Sequence, residues 1–228
     1  MLVIALLGTV VVMLAAILWA VATVLPQRDT PRTFVERQLA MLERVVKEKP
    51  KSEEAWADYI LALVAAKQYS KAQAVIAQAE KAVGKDVVDI LYVRARLAHA
   101  RGDRGEAEQL VKKAIDSGLA FRQKELARLA EQATFPDPHV IKGKVLASAY
   151  YFQAQLLAEK KQWQEAAEAL TKSLAEEPAS ADALVFRGNV YLELSETASA
   201  TADFRQALKY IPGFQPALDG LKKAGAAK

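Results

Sequence analysis

The chain has no cysteine, so disulfides and thiolate metal sites are excluded. It has only two histidines, His99 and His139, and they stand far from each other. Neither has a second histidine one helical turn away, so no paired-histidine metal motif forms around them. Glycine and proline are sparse, at 10 and 8 in 228 residues, and fall mainly between periodic apolar segments. That distribution argues for helices joined by short turns rather than for a sheet. Charge of one sign is also in short supply. The 31 basic and 27 acidic residues leave a formal charge of +4, scattered along the chain. A nucleic-acid partner would call for a concentrated basic face with stacking aromatics, which is not there. Catalytic groupings are missing too. Gly143-Lys144-Val145 lacks the upstream Gly and the following Ser or Thr of a phosphate loop. The carboxylate pairs Glu53/Glu54, Glu106/Glu108 and Glu176/Glu177 fall in polar helix ends or turns and read as solvated charge. The expectation is a protein that is not an enzyme and has no cofactor.

Against these absences stands one long apolar run. Leu2 to Leu25 is uncharged, and 14 of its residues are Leu, Ile or Val. As a helix it would extend ~36 Å, enough to cross a bilayer with some tilt. Fourteen such residues favour insertion by on the order of −6 kcal/mol. A cleaved signal peptide is the alternative, with Ala20-Val21-Ala22 as cleavage site. The missing basic start and the length of the run favour a retained single-pass anchor over 1–26. Arg28, Arg32 and Arg37 follow the span, and the positive-inside rule then favours a cytoplasmic over an extracytoplasmic soluble part.

Residues 27–32 form a linker. Thr33 and Glu36 have the spacing of a capping box for a helix to Lys49. Ser52 caps the next helix, where Trp56, Tyr59, Ile60 and Leu63 make a core stripe. A second helix carries Ala72, Ile76 and Ala79 and ends at Gly84. A further pair uses Leu91, Ala95 and Ala98, turns at Gly102, and runs with Ala107, Val111 and Ala114 to Gly118. Helical repeats thus occupy 33–121. Residues 122–146 break the pattern as an irregular insertion: a helix from Arg122 to Ala133, then the loop Thr134-Phe135-Pro136-Asp137-Pro138, with a new helix starting near His139 or Val140. Two well-formed repeats follow over 147–214. Lys160 to Ala166 leads into Leu170, Ser173, Leu174 and Pro178. At an offset of 34, Leu194 to Ala200 leads into Phe204, Ala207, Leu208 and Pro212. A capping helix from Gln215 to Ala224 and a tail complete 215–228.

These anchors resemble the tetratricopeptide-repeat family. Its Trp, Leu-Gly, Tyr, Ala, Phe and Pro positions fall best on Leu184, Arg187-Gly188, Tyr191, Ala200, Phe204 and Pro212. The resemblance implies an all-α solenoid of helical hairpins, here behind an N-terminal transmembrane helix. It also implies that the first helix of each hairpin lines a concave groove. On the second repeat the groove positions are Tyr92, Arg96 and His99. On the next they are Tyr151, Gln155 and Glu159, and on the last Val185, Asn189 and Leu192. The first repeat contributes Ala57, Leu61 and Val64. Some members clamp a terminal carboxylate with Lys and Asn. Asn189 matches, but Val185 stands where Lys should be, so a clamp is not expected. The implied partners are proteins, bound as an extended segment or helix. The implied function is a membrane-anchored adaptor in assembly of a membrane or envelope complex. The alternative is a permanent structural subunit, packing through its outer faces and residues 119–146.

Overall fold

The computed structural model describes residues 33–225. The chain divides into two compact units, 1–41 and 42–228. The expected anchor over 1–26 and the linker over 27–32 lie outside the described residues. Among the described residues, no helix is long and apolar enough to cross a membrane.

The first helix, α1 (Phe34–Glu48), begins in the first unit. The Glu36 amide donates to Thr33 Oγ1 at 3.1 Å, and the Thr33 amide donates to Glu36 Oε2 at 2.8 Å. That reciprocal pair satisfies two donors at the open helix end.

The second unit continues with helical hairpins. α2 (Glu53–Ala65) pairs with α3 (Tyr69–Val83), and α4 (Val88–Ala100) with α5 (Arg104–Glu131). α6 (Gly143–Glu159) pairs with α7 (Trp163–Glu176), and α8 (Ala181–Glu193) with α9 (Thr197–Tyr210). α10 (Gln215–Lys223) closes the end against α8 and α9. No strand occurs among the described residues. Starts are set by short polar caps: Ser52 accepts from the Ala55 amide, Asp103 from Glu106 and Ser180 from Ala183.

Within each pair, alanine lets the helices close. Ala72, Ala95, Ala107, Ala154, Ala166 and Ala200 are all fully buried. The core stripe of α2 is buried as its spacing requires, with Ile60 and Leu63 at 0 % exposure. The turns inside the hairpins share one device. Lys67, Lys161 and Ser195 adopt φ of 57°, 59° and 61°, and Gly102 adopts 90° at the matching place. A left-handed residue there turns the chain between the helices.

Phe204 is the filler between the last hairpin and α10. It is fully buried, and both Gly188 on α8 and Gly220 on α10 face its ring. A Cβ on either would lie 2.6 Å or 2.5 Å from Phe204 Cε1. Both glycines exist for close approach.

The middle of the chain differs from expectation. The helix expected to end at Gly118 and the one expected to start at Arg122 are one 28-residue helix, α5. Gly118 is buried in its interior, not a terminator. A Cβ there would meet Leu146 Cδ2 at 2.8 Å and Val88 Cγ2 at 3.2 Å, so the glycine makes a notch for side chains of α6 and α4. The helix expected near His139 also starts later. Asp137 Oδ1 accepts from the His139 amide at 2.9 Å, holding 138–140 as a short 3-10 turn. Lys142 then adopts φ 60°, and α6 begins at Gly143.

Candidate functional site

α2, α4 and α6 lie side by side, and two clefts open along their common face. The first, about 240 Å³, includes Ala57, Asp58, Leu61 and Tyr92. The second, about 250 Å³, includes Ser148, Tyr151, Glu177 and Asp182. Tyr92 and Ser148 line both, so the clefts adjoin. The face therefore has an apolar stretch on α2, tyrosines in the middle and carboxylates at the α7–α8 junction.

The residues chosen by spacing are placed as follows. On α4, Tyr92 is buried and its hydroxyl accepts from Arg96 Nη1 at 3.2 Å. The Arg96 guanidinium also stacks 4.9 Å from the centre of the buried Phe152 ring. His99 meets the same ring edge-on, and its Nε2 lies 2.8 Å from Glu159 Oε1. Arg104 holds the other Glu159 oxygen at 3.2 Å. Phe152 thus gathers Tyr92, Arg96 and His99 into one cluster, with Glu159 tied to it through His99.

Tyr151 is half-buried and packs 5.5 Å from the Phe186 ring of α8. Burial pushes its hydroxyl pKa above the ordinary value; nearby Asp182 adds to this, and Arg96 opposes it. Gln155, Asn189 and Leu192 are partly exposed, while Val185 is buried. Ala57 is buried, and Leu61 and Val64 are partly exposed.

One wall of the first cleft lies outside the helical spacing that marks the groove positions. Val140, Lys142, Gly143, Lys144 and Val145 also line it. They come from the insertion, and ion pairs hold them there. Lys142 Nζ bonds Glu53 and lies 3.0 Å from Asp89 Oδ2. Burial alone would lower the Lys142 pKa, but Glu53 and Asp89 override it and raise it. Lys144 Nζ lies 2.6 Å from Glu54 Oε1. Asp58, by contrast, makes no side-chain hydrogen bond or ion pair among the described residues. Burial raises its pKa, Lys144 acts to lower it, and Glu54 and Asp89 raise it further.

Two carboxylates expected to be solvated are therefore structural. One is Glu53. The other, Glu176, has a side chain only 6 % exposed and takes both terminal nitrogens of Arg122, at 2.8 Å and 2.6 Å. Arg122 Nε donates to the Ile141 carbonyl at 2.9 Å, and His139 Nδ1 lies 3.0 Å from Glu176 Oε2. Burial by itself would raise the Glu176 pKa, yet Arg122 and His139 hold it below the ordinary range. The partners stand 54 and 37 residues away, beyond the reach of local pattern. Among the described residues, no group of His, Asp and Glu could hold a metal ion.

A helical-hairpin array with an open face is the architecture of a repeat scaffold. The Tetratricopeptide repeat pattern matches residues 39–97 and again 147–214, together more than half of the chain. The chain belongs to the tetratricopeptide-repeat family. Solved structures agree in fold. A thermophilic TPR protein of Thermus thermophilus superposes with TM-score 0.58 at 16% identity, over 84% of this chain and 89% of that one. A tetratricopeptide repeat protein of Parabacteroides merdae gives 0.57 at 19% identity, over 84% and 64%. PilW, a type IV pilus biogenesis factor, gives 0.55 at 20%, over 85% and 80%. No curated protein sequence matches the chain.

Proposed function

We propose that the chain is a non-catalytic adaptor. It holds a segment or helix of a partner protein on the face of α2, α4, α6 and α8, and residues 2–25 fix it in a membrane beside the complex it helps to assemble. The observation that carries this reading is the pair of adjoining clefts joined at Tyr92 and Ser148. An open groove with an apolar end, amphipathic tyrosines and side-chain amides suits a polypeptide better than a small molecule, which needs enclosure.

A second reading has its own support. Phe135 is 82 % exposed and Val140 77 %, with Phe121 also open to solvent. Apolar residues displayed this way suit a permanent neighbour packed on the insertion.

One experiment separates the two. A photocrosslinking residue is placed at Tyr151, Asn189 or Phe135 of the full chain in its native host. The adaptor reading expects one partner captured from Tyr151 and Asn189. Capture from Phe135 alone would refute it in favour of the structural subunit. The anchor is tested by alkaline extraction: the full chain stays with membranes, and its release under those conditions would sink the anchor. Because the chain has no cysteine, single introduced cysteines at Lys112 or Lys209 report the side of the membrane cleanly. Protection from an impermeant reagent is expected for a cytoplasmic domain.

A further inference from the structure

The clefts carry a charge pattern that selects among partner segments. We infer that the groove takes a stretch of polypeptide bearing Lys or Arg beside an apolar residue, and that the insertion supplies the wall that seats the apolar side chain. This rests on reading the first-helix face as the binding groove.

Three carboxylates line the clefts with no side-chain hydrogen bond or ion pair among the described residues: Asp58 in the first, Glu177 and Asp182 in the second. The cations around the first cleft are already committed. Lys142 is taken by Glu53 and Asp89, and Lys144 by Glu54. Lys144 offsets Asp58 and Glu177 only as a neighbour, not as a bonded partner. Among the described residues, no Lys or Arg lines the second cleft. The lining of the two clefts therefore carries an acidic excess on a chain whose formal charge is +4. The background field draws acidic segments in, so any preference for basic ones has to arise from the groove itself.

Apolar contact is provided next to the charge. Ala57 and Leu61 line the same cleft as Asp58, and Val140 stands exposed at its lip. A side chain entering there covers Val140. A basic side chain beside it in the segment shares the first cleft with Asp58, and another in the adjoining cleft meets Asp182 beside Tyr151. Tyrosine walls serve both, since the ring packs on apolar stems and attracts a cation at its face. Asp58 stands at the cleft surface with Lys144 as its nearest cation and Glu54 and Asp89 as like-charged neighbours, so an incoming cation adds a favourable partner there.

The test uses the full chain in mild detergent. A display library of random peptides is panned against it, and the best peptide is synthesised for titration. Enriched peptides are expected to pair Lys or Arg with Leu, Ile, Val or Phe. Binding should weaken roughly tenfold with Asp58→Asn and Asp182→Asn combined, several-fold with Val140→Ser, and further as salt is raised. All three positions are at the surface, so unchanged circular dichroism confirms folded variants. Enriched peptides that are neutral or acidic, and that lose binding with Tyr151→Ala, overturn the charge preference while the groove reading stands. No enrichment, or peptides indifferent to every one of these variants, overturns both.

Discussion

Gly220→Ala is expected to change sign with its surroundings. In the native chain, a methyl group at 220 would lie 2.5 Å from Phe204 Cε1, against a comfortable carbon–carbon distance of about 3.5–4.0 Å. The ring is fully buried and Gly188 closes on the same ring atoms, so it has little room to move. Overpacking of this kind costs roughly 1–3 kcal/mol. Alanine returns about 1 kcal/mol of helix propensity over glycine. The net effect is a loss of roughly 0–2 kcal/mol. Phe204→Ala alone should cost about 3–5 kcal/mol, since it leaves a cavity at the seam of α8, α9 and α10. In that background the clash is gone, and Gly220→Ala should stabilise by about 1 kcal/mol or more as the methyl partly fills the space. The cycle thus predicts a coupling of roughly 1–3 kcal/mol between residues 204 and 220. Hydrogen exchange read on peptides from α9 and α10 is the appropriate assay, because a repeat array opens from its ends and a global midpoint dilutes the effect. Equal effects of Gly220→Ala in both backgrounds would mean that the ring is not clamped, and the account of both glycines would fail.

Arg122→Ala should destabilise by about 3–5 kcal/mol by leaving the buried Glu176 without its arginine and with only the exposed His139 beside it, measured by urea titration. Arg122→Met with Glu176→Leu should recover most of that stability. The folded pKa of Glu176 is depressed, so its contribution is complete above the unfolded value of about 4.3 and is lost as pH falls through the lower folded value. Glu176→Gln should flatten the acid limb of a stability-against-pH curve, and an unaltered acid limb would contradict the assignment. Lys161→Gly and Ser195→Gly should each stabilise by up to about 1 kcal/mol, because a left-handed L-residue costs about 1–2 kcal/mol and glycine's entropy offsets only part. Thermal melts that fall rather than rise would show that those side chains contribute contacts of their own. Ser52→Ala should cost about 1 kcal/mol through loss of the α2 cap, seen as faster amide exchange in its first turn.

What could be read without coordinates was what repeats at short range. Trp56, Tyr59, Ile60 and Leu63 recur at helical spacing, and Ser52 sits where a cap belongs, so α2 was legible in type and register. The Phe204 position followed from its match to Leu170 at an offset of 34. Gly118 misled because glycine has two uses in helical proteins. It ends helices by accepting left-handed backbone, and it admits close neighbours by lacking a Cβ. Only the presence of Leu146 and Val88 against it decides between them. The same ambiguity hid the hairpin turns: one of the four matching positions is Gly102, while Lys67, Lys161 and Ser195 give no sign of their conformation. On the groove face, spacing names positions but not neighbours. It could not say that Arg96 would lie on Phe152, or that His99 would meet Glu159 from 60 residues away.

The insertion explains why its supports are charged rather than apolar. Its backbone has to be held against α5 and α7 while Val140 stays outward at the cleft. An apolar plug at Arg122 could fill the same volume and hold α5 to α7. It could not also donate to the Ile141 carbonyl, which fixes the chain immediately before the left-handed Lys142. From there Lys142 reaches Glu53 and Asp89, on α2 and α4, and Lys144 reaches Glu54. One arginine with directional donors therefore sets the place of a loop whose next residues brace two other hairpins. A buried ion pair is seldom the most stabilising way to fill a core. Here it has a positional use, since disturbing Arg122 moves the wall that carries Val140. The stability of the 122–146 segment and the shape of the groove are consequently one property, and a variant that loosens the first should weaken binding at the second without touching any groove residue.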